Sequence, residues 1–422
     1  MVEEGQVPWL GLPVEQVTQF TCYARSDSRK LSGGGYILEA ELRGVQNSSG
    51  ARTGAGGKLL CFFEYDPVIY MGGIISAETG LRASPELAEI YKSQNLGNIS
   101  LLKEPLCLTA YPRAGELVSL GRKSSVWRIR EALSRGIEQR CYKMGEDSGG
   151  LLLALLLGNR DGLSIWESRI FREAGCSHIL ALSGMHLGIL SALILLILHP
   201  LPGRKPAFIV SSVIVLVYLI LTGFGISLVR AALMYFLFGL SNAFYRKTSA
   251  FDILLLSFVV LTAAAPSTFY TLSFQLSFLA VAGILTAAPE INQFLKPWLP
   301  AALRLPLSCS AGAQLLVIPL LLPTFGVIYP VGLIAGIIIA PMVTLFIWSG
   351  LIFLITGLKP VSIFSDLIYK AICRVAETAA AAPSVSYDES ALWLVPLLAG
   401  LIILLSMYSI RRRMLNGISG KL

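Results

Sequence analysis

Two of the chain's three histidines, His178 and His186, fall within CSHILALSGMHLGIL (Cys176–Leu190), inside an apolar run long enough to cross a bilayer. Imidazoles at membrane depth are costly unless they face protein or water. On one continuous helix, eight residues at about 100° each leave the two rings about 80° apart, so both border a single cavity. Ser183 stands three residues before His186, within side-chain reach on a helix. Four readings remain open. A Ser–His nucleophile needs an orienting acid and an oxyanion hole, and the nearby acids are Asp252 and Asp161. Metal binding would fall to Cys176, His178 and His186, whose spacing is not that of a zinc site. Polar lining of a pathway is the third reading. The fourth is a close helix contact built from Ser183, Gly184, Gly188 and the histidines, and it is compatible with the third.

Arg230 in GFGISLVRAALM is the second signal: a guanidinium in an apolar segment needs an anionic partner, whether a lipid phosphate, an acid or a translocated phosphate. Asn159 and Arg160 lie in LLLGNRDGLS, just upstream of the histidine run. Gln275 and Gln314 are amides within apolar segments, suited to interhelical hydrogen bonds or to pathway lining. Pro319, Pro323, Pro330 and Pro341 mark expected helix breaks. GAGGK at Gly54–Lys58 is not a phosphate-binding loop, because Arg52 occupies the first glycine position and Leu59 follows the lysine. No metal site, cofactor or enzymatic chemistry is expected.

The elements that carry these residues follow from composition. Of 422 residues, 54% are hydrophobic and 14% charged, well below the roughly 25% charge of soluble domains. That excludes an ordinary soluble enzyme. Met1–Ser148 carries 17 basic and 17 acidic residues, and the rest of the chain 17 and 9, so the net +8 arises entirely in the second part. In the first part, alternation in Tyr36–Val45 and the run Lys58–Tyr65 predict strands, and Ser84–Gln94 a short helix, which together fit a small barrel. Arg122–Lys143 predicts an amphipathic basic helix, with Val126, Ile129 and Leu133 on one apolar stripe suited to a membrane surface. The cysteines are spaced for neither zinc nor a disulfide framework, and buried thiols are the simplest reading.

The second part predicts a polytopic α-helical membrane protein of seven to nine spans: Cys176–Leu198, Ala207–Phe224, Ile226–Phe244, Phe251–Ala265, Thr268–Ala288, Leu305–Leu322, Ile328–Leu358, Val361–Ala382 and Ala391–Ile410. The seventh is overlong and is expected to break near Pro341, and the eighth carries enough charge to be amphipathic instead. Gly149–Gly158 is too short to cross and reads as re-entrant. Three regions result: residues 1–121 as the β domain, 122–148 as the linker helix and 149–422 as the membrane domain. Basic residues at Arg204–Lys205, Arg246–Lys247, Lys296, Arg304, Lys359 and Arg411–Arg413 predict cytoplasmic loops and a cytoplasmic C-terminus, which leaves the β domain outside the membrane. Met1–Gln16 has no signal-peptide pattern, so an upstream span is expected to be missing from this chain.

These motifs, in order and spacing, resemble the ComEC family of competence proteins: LLLGNRDGLS, SHILALSGMHLGIL, GFGISLVRAALM, FQLSF at Phe274–Phe278 and QLLVIPL at Gln314–Leu320. The resemblance covers about Gly149–Met342 and extends less specifically to Tyr36–Tyr111, which resembles the family's OB-like domain. It implies an inner-membrane channel that takes up single-stranded DNA during natural transformation, with partner uptake proteins and room for homo-oligomerisation. Asn159, Arg160, His178, Ser183, Gly184, His186, Arg230, Gln275 and Gln314 would then line the path or handle DNA. Arg25, Arg29, Lys30, Tyr36 and Arg43 would offer the β domain's strand contacts. Relative to the family, extra N-terminal spans and a metallo-β-lactamase-like domain are expected to be missing from this chain, and Asn159, Ser273 and Gly336 stand where the family often has Asp, Gly and Asn. A membrane-embedded Ser/His hydrolase or transferase and a small-solute transporter are the alternatives.

Overall fold

Alternating burial at Leu38, Ala40 and Leu42 within Tyr36–Asn47 (β3) shows why this segment is a strand. These residues face the core of the sheet, Glu39 and Glu41 are less buried, and a register shift after Leu42 passes the inward position to Val45. The computed structural model describes residues 16–31, 35–65, 67–83, 108–122, 125–198, 204–243 and 248–386. Ser84–Gln94, Cys107, Arg246–Lys247, Ala391–Ile410 and Arg411–Arg413 lie outside these residues. Two compact units emerge, Met1–Leu163 with Ile220–Gly223, and Ser164–Leu219 with Phe224–Leu422.

In the first unit, β1 (Val17–Ala24), β3 and β4 (Arg52–Phe63) form an antiparallel meander, and β2 (Arg29–Lys30) pairs with the start of β3. β5 (Gly73–Ala77), β6 (Leu81–Ala83), β7 (Leu108–Ala110) and β8 (Leu117–Arg122) complete a sheet of order β6-β7-β4-β3-β1-β5-β8, in which only β4 and β7 run parallel. Phe20, Leu38, Leu42, Leu59, Ile75 and Leu108 fill its core. The strand read at Lys58–Tyr65 begins earlier, at Arg52. Its glycine-rich start has no side-chain alternation to read, yet Gly54 and Gly57 pair with Gly44 and Leu42.

Helix α1 (Ser125–Met144) presents its apolar stripe outward. Val126, Ile129 and Leu133 are exposed, whereas Arg130, Glu131 and Ser134 are buried. Arg130 forms a two-point ion pair with Asp27, both contacts at 2.7 Å, and the Asp27 carboxylate also accepts the Met71 N–H. The pair satisfies the cation and frees the apolar face to point outward. Gly149–Gly158, read as re-entrant, forms most of α2 (Glu146–Leu157), whose residues 148–156 are all buried and which ends at Gly158 in the left-handed conformation. Apolar side chains around the whole circumference suit a fully enclosed helix.

Cys22, Cys61 and Cys141 are buried thiols. A hydrogen bond with Cys61, together with burial, raises Cys22 well above the ordinary thiol range. Burial and the Glu138 charge push Cys141 up to about 12. At pH 8 a thiol with that pKa is about one part in ten thousand thiolate. Maleimide at pH 8 is therefore expected to modify these three only after denaturation, and stoichiometric modification of the native protein, read by mass spectrometry, would contradict the burial.

The second unit is helical. Its elements are α3 (Ile165–Glu173), α4 (Ser177–Leu180), α5 (Gly184–Leu198), α6 (Arg204–Thr222), α7 (Ile226–Ala243), α8 (Ala250–Ala264), a 3₁₀ turn (Pro266–Tyr270), α9 (Leu272–Phe294), α10 (Ala301–Phe325), α11 (Gly332–Thr356) and α12 (Lys359–Ala380). Among the described residues α9, α10 and α11 are long and apolar enough to cross a membrane. Gly184–Leu198, Pro206–Thr222, Ile226–Asn242 and Ala250–Ala264 are apolar but shorter. The charged α12 is not in either group, as its amphipathic reading anticipated.

Two expectations about breaks are corrected. Helices continue through Pro319, Pro323 and Pro341, with only Pro330 lying between elements; packed neighbours and local adjustments re-satisfy the backbone groups that proline frees. Conversely, the span expected at Cys176–Leu198 is interrupted between Leu180 and Gly184. His178 and His186 therefore sit on different helices, and the 80° relation assumed for one helix does not apply. The second unit is held together by close backbone crossings. A Cβ on Gly283 would lie 2.1 Å from the Gly312 carbonyl oxygen, and one on Gly175 would lie 2.8 Å from the Gly332 Cα. Buried polar ties add to these: Ser365 donates to Ser349 at 2.9 Å, and Tyr369 donates to Glu167 at 2.9 Å.

Candidate functional site

The break before α5 creates the site. Its Ser-Gly-Met-His turn folds on itself: the Ser183 N–H donates to His186 Nδ1 at 3.3 Å, and the Ser183 hydroxyl meets the same nitrogen at 3.2 Å. The Met185 N–H donates to Ser183 Oγ at 3.3 Å, the serine acting as a local cap. His186 is 2% exposed. Its Nε2 meets no hydrogen-bond partner at ordinary distance among the described residues, the Ile179 backbone being the polar group near the ring. Sequence spacing foresaw the Ser183–His186 contact. With Nε2 unpartnered, however, the orienting acid of a catalytic triad is not assembled here.

Arg230 on α7 approaches this turn from the side and is 5% exposed. Its Nη1 donates to the Ser277 carbonyl, and its guanidinium carbon lies 5.5 Å from the Phe278 ring centroid, both on α9. Its Nε has no partner, and no ion pair to it occurs among the described residues. Gly184 provides the link: a Cβ there would sit 3.2 Å from the Ala231 Cβ and 3.4 Å from Arg230 Nη2. Gly188, expected in the same packed contact, has open space around it; the fourth reading of the cluster thus holds for Gly184 and fails for Gly188.

The other sequence-predicted residues divide. His178 is exposed on α4, within electrostatic reach of His186. Gln275 donates to the Phe269 carbonyl at 3.3 Å, while Gln314 lies half-buried on α10. Among the described residues, Cys176, His178 and His186 do not form a group able to hold a metal ion. Asn159 and Arg160 belong to the first unit, where the Asn159 side chain accepts the Asp161 N–H at 2.8 Å. Arg160 is exposed by area yet crowded; desolvation first, and the Arg29 charge second, hold its pKa below the usual arginine value. In the same unit Glu41 pairs with both Arg25 and Arg43, and Tyr36 packs against the core. Arg29 is exposed, and the Lys30 side chain lies outside the described residues.

Sequence reasoning missed two features. Glu167 is 2% exposed, and its carboxylate accepts from the Ser164 N–H and hydroxyl and from Tyr369. The Ser-x-x-Glu capping box that begins α3 was legible at Ser164–Glu167. The Ser277 carbonyl that receives Arg230 had no signal in the sequence. A cleft of about 410 Å³, lined by Trp166, Tyr369, Lys370, Cys373, Arg374 and Glu377, includes none of the cluster's residues.

A family model described as competence protein matches residues 155–413, more than half of the chain and the whole of this cluster. The chain belongs to the competence protein family. A relative within the competence group, ComE operon protein 3 of Bacillus subtilis (strain 168), is 32% identical over 151 residues, covering 36% of this chain and 19% of that protein. An uncharacterized protein of Aquifex aeolicus (strain VF5) is 27% identical over 285 residues, 67% of this chain and 64% of that one. The chain thus spans under two thirds of each of these relatives. No solved structure matches significantly. The family match supports the ComEC-type resemblance drawn from the motifs and, with the apolar helices, a membrane protein with a role in competence.

Proposed function

We propose that the chain forms an inner-membrane conduit through which single-stranded DNA enters the cytoplasm during natural transformation. The observation that carries this reading is the convergence of two separate family motifs, Ser183-Gly184-Met185-His186 and Arg230, on one buried cluster whose cation meets no carboxylate. A strand with one negative charge per nucleotide needs a polar or cationic route through hydrocarbon. If the three long and four shorter apolar helices among the described residues all cross the bilayer, the count is seven, the lower end of the range read from the sequence. The basic segments between them favour a cytoplasmic C-terminus and an extracytoplasmic β unit.

The β unit is read as an OB-type barrel. The meander β1-β3-β4, the parallel β4–β7 pair, and the segment Gly73–Ala83, which pairs with β1 through β5 and with β7 through β6, support closure. OB folds bind single strands near the loop between their first two strands. Arg29 opens β2 directly after that loop, and Arg160 is in electrostatic reach of it. Partners on this reading are single-stranded DNA, the bilayer, other uptake proteins and further copies of the chain; no cofactor or chemistry of its own is invoked. A strain deleted for the gene is expected to bind DNA at its surface but to lose entry of labelled single strands into the cytoplasm, and to recover entry when the gene is returned. Undiminished entry in the deletion strain overturns the reading.

A further inference from the structure

The first turn of a helix presents unpaired N–H groups and about half a unit of positive charge. At α5 that end is met by a second positive group. Arg230 Nη2 lies 3.4 Å from the position a Gly184 Cβ would take, so the guanidinium sits against the helix's first residue. Around the turn, Ser183 oxygens accept the N–H groups of Met185, His186 and Leu187, which leaves the Gly184 N–H unused among the described residues. Placing a buried cation against a helix N-terminus is unfavourable for both unless an anion joins them. The groups that face Arg230, the Ser277 carbonyl and the Phe278 ring, supply only partial negative charge.

The unpartnered atoms indicate what the anion is. Arg230 Nε and His186 Nε2 are buried without hydrogen bonds, on side chains 5% and 2% exposed. With the Gly184 N–H, and with Nη2 at the turn, they are the unused donors of this cluster. The planar guanidinium fork and a helix N-terminus are each matched to phosphate oxygens. A side chain at 184 would begin in the gap between the turn and the cation, 3.2 Å from the Ala231 Cβ, so that glycine keeps the gap open.

We propose that Gly184 at the start of α5, with Arg230 and His186, forms a binding site for one phosphate group inside the helical unit. The site stands on this geometry; that its phosphate belongs to a passing DNA strand rests on the conduit reading above.

The test uses the full chain purified in a phosphate-free maltoside detergent. Titration with inorganic phosphate, against chloride at matched ionic strength, is expected to raise the melting temperature and to shift the Gly184 amide resonance saturably. Arg230→Lys, which keeps the charge but loses the fork, should raise the midpoint at least tenfold, and Gly184→Ala should do likewise. Gly188→Ala, in open space, should match the wild type. An unmoved Gly184 resonance in the wild-type protein overturns the site without requiring any variant to fold. Oligothymidylate and phosphatidylglycerol nanodiscs then separate the sources. Competition by the oligonucleotide supports a strand phosphodiester. Competition by the lipid alone supports the phosphate site while removing this cluster from the conduit reading. Absent phosphate binding alongside normal DNA entry overturns the site and leaves that reading intact.

Discussion

Arg230→Gln is expected to lower transformation at least about 100-fold, a loss of about 2.7 kcal/mol of interaction with the passing strand, while the variant still inserts and melts no lower than wild type. The two halves of this expectation come from one cause. A buried guanidinium that meets a carbonyl and an aromatic ring but no carboxylate is held in place at a cost in stability. Replacing it with a neutral amide of similar reach relieves that cost, so the purified variant should melt at or above the wild-type temperature in detergent. A purely structural arginine would give the opposite pair of results, unchanged transformation per inserted molecule and a lower melting temperature. Function bought at the expense of stability is a common condition of sites.

The largest effect on folding is expected at Gly283→Val. In the α9–α10 hairpin the two backbones touch: a Cβ at 283 meets the Gly312 carbonyl oxygen at 2.1 Å and its carbon at 2.9 Å. Neither atom belongs to a side chain that can rotate away, so the helices must separate and lose the close packing that drives their association in lipid. Overpacking of this kind costs more than about 3 kcal/mol. Gly283→Val should therefore leave little monodisperse protein on fluorescence-detected size exclusion, and a wild-type profile would contradict the crossing. Gly312→Ala, whose nearest clashes are the Ala288 nitrogen at 2.8 Å and the Gly283 oxygen at 2.9 Å, should be milder.

Much of the architecture could be read from residue types because the forces that build it act locally. Alternation marked the Tyr36 strand, and apolar runs marked α6 to α11, because pleat period and hydrophobic length are written residue by residue. The interruption before α5 could not be read in this way. Ser183 is a residue type that begins helices, but within a long apolar run the length signal outweighs it, and the two histidines were assigned to one helix. Prolines misled in the other direction, since a packed bundle tolerates what an isolated helix does not. The Ser183–His186 contact was legible from a spacing of three. That Arg230 would lie against Gly184 depends on how α5 and α7 cross, and no local pattern encodes a crossing. The stripe of α1 was legible from its spacing, whereas the buried ion pair of Arg130 with Asp27 on its other side joins residues distant in sequence and was not.

The outward stripe of α1 has a practical meaning for anyone handling the protein. Val126, Ile129 and Leu133 are 50%, 60% and 49% exposed, forming a greasy ridge on a helix whose Arg130 and Glu131 are buried on the other side. Such a ridge behaves like a surfactant headless on one side: it adsorbs to vesicles, to air–water films and to its own kind. Clouding in a buffer without lipid or detergent would then report the ridge seeking cover, and would say nothing about whether the β-sheet of the same unit has folded.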